Sequence, residues 1–138
     1  MSQIHQRYNF LFANEIFRSH VYKTCELINI NANPSYVNLS TYLLYLQFIE
    51  NINEFALPEI EKFLNGLPYD NISQETVEIV LGQMNVEIRW NSTTETVPMN
   101  DFKDVLKEYA DFLQAPPLDG LAVCFWRALF GQILNSQG

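Results

Sequence analysis

The chain has 138 residues, and its eight Lys and Arg against sixteen Asp and Glu give a formal net charge of −8. Apolar residues make up 48% of the chain and aromatic residues 14%, a composition that supports a hydrophobic core and excludes an acidic disordered chain. Its two Cys exclude a disulfide framework, and its acidic balance argues against direct binding of nucleic acid through phosphate neutralisation.

The N-terminal part of the chain predicts helices. Apolar residues recur at steps of three and four, which predicts one helix over residues 6–30, or two that are broken near residues 19–20. Asn33 and Pro34 then suit the N-cap and first position of a second helix, and we expect Pro58 to end it.

The middle of the chain changes its pattern. A short helix is predicted over residues 58–64, with Gly66 as its C-terminal glycine. Ser73 is the predicted N-cap of another helix, with apolar residues at i, i+3, i+4 and i+7. Residues 86–90 then alternate apolar and polar side chains, which is typical of a half-buried strand. Residues 91–97 either turn and return as a partner strand or form a loop.

The C-terminal part again predicts helices. Residues 101–114 give the clearest amphipathic pattern, and a last, mostly apolar helix begins at Asp119. The expected fold class is therefore mainly α: a compact bundle of five or six helices, with a small β-hairpin or an extended segment near residues 86–97.

The chain also predicts its compartment. No secretory signal precedes the first predicted helix, and the most apolar stretch, residues 121–134, is shorter than a membrane span. We expect a single helical domain, residues 1–138, that is cytoplasmic, binds no membrane and keeps Cys25 and Cys124 as thiols.

Residues that could carry catalysis are few. His5 lies near the N-terminus, and five residues separate His20 from Cys25, so the two point to different sides of a helix. Cys124 lies in an apolar helix, where burial makes a thiol unreactive. Phosphate-binding, metal-binding and nucleophile motifs do not occur, so we expect no catalytic residue, no cofactor and no metal site.

The helix over residues 101–114 sorts its charges by sign. At 100° per residue its two lysines share one strip, while an adjacent strip collects four carboxylates: Asp101, Asp104, Glu108 and Asp111. Stability alone favours interleaved charges, since like charges four residues apart repel. The strip is either a solvated face or a docking surface for a cationic partner.

Two further residues extend this hypothetical surface. Glu95 precedes the helix and adds to the negative field. Trp90, on the predicted strand, is either an aromatic anchor at an interface or a side chain folded onto the core.

These features lead to three functional hypotheses. The first is a small acidic binding protein that inhibits a basic protein by direct occlusion, with the six residues above as its binding residues. In composition the chain is similar to bacterial immunity proteins, which would make the partner a cationic nuclease toxin. The second is an adaptor that self-associates as a homodimer through the apolar helices at residues 42–49 and 121–129. The third is an enzyme with an unrecognised site that uses His20 and a carboxylate.

Overall fold

A computed structural model describes residues 3–28 and 35–115 of the protein. Within them the structure contains both helices and strands, so the expected bundle of five or six helices is wrong. In chain order the elements are α1 (Ile4–Arg7), β1 (Phe10–Phe17), β2 (His20–Leu27), α2 (Val37–Tyr45), a π-helical segment (Asn51–Ala56), α3 (Leu57–Leu64), β3 (Glu78–Leu81), β4 (Asn85–Trp90), β5 (Thr93–Pro98) and α4 (Met99–Gln114). Strands β1 and β2 form one sheet, and a second, antiparallel sheet has the order β3-β4-β5.

The contacts divide the described chain into two units. The main unit comprises residues 3–12, 25–28 and 35–113, and the second contains residues 13–24. In the second unit Arg18 and Ser19 both have positive φ, +52° and +67°. Such a pair suits a two-residue turn that matches the twist of the flanking strands. Around this turn Ile16, Phe17 and Tyr22 are exposed.

The helix predicted over residues 6–30 is therefore wrong beyond Arg7, where α1 ends. Its apolar residues do not form one buried face, because Phe17 and Val21 are exposed. Phe10 is buried and Leu11 exposed on β1, and Cys25 is buried and Glu26 exposed on β2. The break considered at residues 19–20 is the turn between the two strands.

The helix predicted after Ser73 is also wrong, because residues 78–81 form β3. Val77 and Ile79 are buried and alternate with exposed Glu78, so the same apolar residues satisfy the period of a strand. In register with β4, Ile79 pairs with Ile88 and Leu81 with Val86.

The predicted strand at residues 86–90 is confirmed as β4, and residues 93–98 return as β5. Asn91 and Ser92 connect them with φ of +50° and +63°. Both values suit the tight hairpin turn that joins twisted antiparallel strands.

The helices between the two sheets differ partly from the prediction. Helix α2 ends at Tyr45 rather than near Pro58, and Pro58 instead lies in the first turn of α3. The π-helical segment ends at Ala56, directly before α3, so the proline, which has no N–H to donate, lies where one helical hydrogen-bond pattern gives way to the other. The predicted short helix is confirmed, and Gly66 follows it with φ of +72°.

The core of the main unit lies between α2, the inner face of the three-stranded sheet and α4. Helix α4 confirms the amphipathic pattern of residues 101–114 and contributes Phe102, Val105, Leu106 and Tyr109, all with no exposed surface. The sheet contributes Val86, Ile88 and Val97, and α2 contributes Leu39, Tyr42 and Leu43. The last predicted helix, from Asp119, lies outside the described residues.

No helix in the described ranges is long and apolar enough to cross a membrane.

Candidate functional site

Glu108 on α4 caps the first helix. Its Oε2 accepts the backbone N–H of Ile4 at 2.8 Å, and its Oε1 accepts that of His5 at 3.0 Å. The His5 Nδ1 lies 2.6 Å from the same Oε1, and the His5 ring stacks on Phe12 with centroids 4.0 Å apart. A carboxylate at these N–H groups stabilises a helix N-terminus, so Glu108 has a role within the fold.

The environment of Glu108 favours its charged form. Partial burial raises the pKa of the carboxyl, but the His5 backbone N–H, the His5 ring and the Ile4 N–H lower it by more, so the net pKa is lowered. Its side chain is 20% exposed. The proposed partner would therefore meet a carboxylate that already has three contacts.

Asp101, about two turns earlier than Glu108 along α4, also contacts the N-terminal residues. Its Oδ2 accepts the Tyr8 hydroxyl at 2.7 Å, and its Oδ1 lies 3.1 Å from the Arg7 Nη2. Burial is the largest cause that raises the pKa of Tyr8, and the hydrogen bond to Asp101 is the next. The phenol therefore stays protonated and donates to Asp101.

Glu95 caps the second helix from the sheet. It lies opposite Ile88 in the register of β4 and β5, which places it on the same face of the sheet as the buried Val97. Its two carboxylate oxygens accept the backbone N–H groups of Asn38 at 2.7 Å and Leu39 at 3.0 Å, in the first turn of α2. Burial raises the pKa of Glu95 by more than these two N–H groups lower it.

The other two predicted carboxylates face solvent more openly. Asp111 is exposed and Asp104 half-buried, and within the described ranges neither makes a hydrogen bond or an ion pair. On the adjacent strip Lys103 pairs with Glu61 of α3 at 2.7 Å, whereas Lys107 is exposed. Asp104 and Asp111 are thus the members of the predicted strip that remain available to a partner.

Trp90 lies at the end of β4 and packs partly against the core. Its indole N–H donates to the Thr76 hydroxyl at 3.0 Å, so the polar edge of the ring has a partner within the chain. The contacts of Trp90 are therefore those of a side chain folded partly onto the core. Its role as an anchor at an interface stays a prediction.

Sequence reasoning missed a groove beside β3, because it assigned residues 73–84 to a helix. The groove has a volume of about 460 Å³ and is lined by Tyr69, Asn71, Ile72, Ile79, Val80 and Leu81. The chain reverses through an isolated bridge between Gln74 and Val77, which brings residues 69–72 beside the outer edge of β3. The available signal was that of a strand, since the apolar residues Val77 and Ile79 flank the polar Glu78.

Ser73 forms hydrogen bonds to both segments that line this groove. Its hydroxyl accepts the backbone N–H of Ile79 at 2.9 Å and lies 2.7 Å from the Asn71 Oδ1, to which it donates. Three exposed carboxylates lie in the segments that form the groove: Asp70, Glu75 and Glu78.

The residues considered for catalysis lie apart from these features. Burial raises the pKa of the Cys25 thiol to about 12, so the thiol is protonated at neutral pH. His20 is exposed in the second unit, where its ring lies edge-on to Tyr22. Cys124 lies outside the described residues. In the part of the chain that the structure describes, no group of three His, Cys, Asp or Glu side chains could hold a metal ion.

Comparisons with models of protein families, with curated proteins and with solved structures found no match to this chain.

Proposed function

We propose that the protein is a small acidic binding protein of the cytoplasm that inhibits a basic protein partner by direct occlusion. The observation that carries this proposal is that most of the described Lys and Arg side chains are paired with carboxylates of the same chain. The described residues include seven Lys and Arg. Four of them form ion pairs with carboxylates of the same chain: Arg7, Lys62, Arg89 and Lys103.

The charge that remains on the surface is therefore mostly negative. Sixteen carboxylates face eight Lys and Arg in the whole chain. Asp104 and Asp111 on α4 carry no ion pair within the described ranges. A surface of this sign attracts a cationic protein and accelerates its encounter.

This protein would block the basic site of its partner if that site binds an anionic substrate. Carboxylates of this protein would then occupy the Lys and Arg side chains that hold the phosphates of a nucleic acid. A cationic nuclease toxin has such a site, which is why we favour this class of partner.

The test begins with capture of the partner from the host by the tagged protein at low salt. The captured protein is then purified and its activity titrated with this protein. We expect a basic partner, loss of its activity at a ratio near one to one, and binding weakened about ten-fold or more between 0.05 and 0.5 M salt. An acidic partner, binding that is insensitive to salt, or a partner that stays fully active in the complex would each contradict the proposal.

A further inference from the structure

We infer that the groove beside β3 binds an extended, Lys- or Arg-containing segment of the partner, which adds to the sheet as a fourth strand. This inference rests on the proposed function, because it names the part of the basic partner that is recognised. It assigns the groove lined by Tyr69, Asn71, Ile72, Ile79, Val80 and Leu81 as the recognition surface.

The first argument is the polarity of the strand edge. β3 is an outer strand of the sheet, and the N–H of Ile79 points away from β4, since it donates to the Ser73 hydroxyl. Backbone groups alternate sides along a strand, so the N–H and C=O of Leu81 and the C=O of Ile79 point outward too. Among the hydrogen bonds of the described residues outside the helices and the strand ladders, none involves these three groups. An outer strand with such groups is a template for another strand.

The second argument is the shape and lining of the groove. Its volume of about 460 Å³ lies within the range of about 300–1,000 Å³ typical of ligand sites. Ile79, Val80 and Leu81 of β3 line it together with Tyr69 and Ile72 of the preceding segment, and Val80 and Leu81 are the half-buried members of β3. The Tyr69 ring packs edge-on against Phe63 of α3, with centroids 5.1 Å apart, which holds this ring in place. An extended segment could therefore place alternate apolar side chains in the groove.

The third argument is charge. Three exposed carboxylates are close in sequence to the lining residues: Asp70 between Tyr69 and Asn71, Glu78 directly before Ile79, and Glu75 in the reversal that connects these segments. Glu78 approaches Arg89 only to 3.7 Å, and Lys62, which acts electrostatically on Asp70, is already paired with Glu59 at 2.8 Å. Lys or Arg side chains at the other alternate positions of the bound strand would complement these carboxylates.

The experiment uses a defined probe, a blocked eight-residue peptide that alternates Val and Lys. One control peptide alternates Val and Glu. The other has the Val-Lys sequence with N-methyl groups on alternate residues. Binding to the full chain is followed by amide chemical shifts in NMR. We expect shifts at residues 69–72 and 79–81 with the Val-Lys peptide and about ten-fold weaker binding of both controls.

A charge variant tests the three acidic residues Asp70, Glu75 and Glu78, which we call the rim. Asp70→Asn, Glu75→Gln and Glu78→Gln together should weaken binding of the Val-Lys peptide about ten-fold, because the attraction of three exposed carboxylates for its lysines is lost. The matched control is Glu50→Gln with Glu54→Gln, two exposed carboxylates of another element, which should leave the affinity within about two-fold.

Several outcomes would overturn the inference. These are absence of binding up to 1 mM peptide, shifts confined to residues outside the groove, or equal binding of the N-methylated peptide. A rim variant that captures and inhibits the basic partner as well as the parent chain does would also overturn it, while leaving the proposed function in place. Conversely, peptide binding in the groove together with an acidic captured partner would contradict the proposed function alone.

Discussion

Glu108 shows how much a single carboxylate contributes to this protein. It accepts two backbone N–H groups of α1 and contacts the His5 ring, although 103 residues separate it from His5. A residue selected from the sequence for its place in an acidic strip thus has a specific structural role. The amphipathic pattern of α4 placed Glu108 on the correct helix, but no local pattern could reveal a partner so distant in the chain.

We expect Glu108→Gln to lower the free energy of unfolding by about 1–2 kcal/mol at pH 7, since it weakens a charged helix cap. The lowered pKa of Glu108 sets the pH dependence. Its contribution is complete above the ordinary carboxyl pKa of about 4.3 and is lost as pH falls through the lowered value. Urea unfolding at pH 7 and pH 3 measures both effects.

The difference between parent and variant should therefore shrink towards pH 3. Asp104→Asn is the matched control, because Asp104 lies on the same helix without a recorded contact, and it should change stability by less than about 0.5 kcal/mol. A Glu108→Gln effect that is the same at both pH values would contradict the role of its charge.

At the scale of elements, helix and strand periods explain which predictions succeeded. Residues 101–114 contain enough turns for a helical stripe to exclude a strand, and the helix was confirmed as α4. Residues 77–84 span only about two helical turns, and their apolar positions satisfy both periods. The alternation of residues 86–90 has no such ambiguity, and it was confirmed as β4. Sequence could thus place α4 and β4, with β5 as one of two alternatives, but not the outer strand on which the groove depends.

The turn between β4 and β5 gives a prediction about this hairpin. Asn91 and Ser92 both have positive φ, and Asn-Gly is the sequence that such a turn favours most. We expect Ser92→Gly to raise the free energy of unfolding by about 0.4–1 kcal/mol, because glycine adopts this conformation without steric cost. Thermal or urea unfolding measures the change.

The control is Thr94→Gly, inside β5 and paired with Arg89. Glycine weakens a strand interior, so this variant should lower stability by about 0.5–1 kcal/mol. Destabilisation by Ser92→Gly would show that the turn depends on a contact of the serine side chain instead.

At the scale of the whole molecule, net charge and its distribution make separate contributions to binding. The charge of −8 was available from the sequence, and so was the excess of acids on one strip of α4. The sequence could not show that Glu95, Asp101 and Glu108 contact the chain itself, since those contacts depend on the tertiary fold. The predicted docking surface is therefore best tested through Asp104 and Asp111.

We expect Asp104→Lys with Asp111→Lys to weaken affinity for the basic partner about ten-fold or more at low salt. Glu50→Lys with Glu54→Lys changes the net charge equally, from −8 to −4, at exposed residues of another segment. Affinity and association rate are measured for both variants after circular dichroism has shown that they fold. Equal weakening by the two would assign the effect to net charge and remove α4 from the binding surface.

The caps of α1 and α2 also bear on how the chain is made. The carboxylates that accept their N–H groups come 103 and 104 residues later for α1 and 56 and 57 residues later for α2. A four-residue helix does not persist by itself. While the ribosome is still translating, the first helix to emerge therefore lacks its cap until Glu108 has left the exit tunnel. Its docking is therefore a late step of folding, which waits for α4.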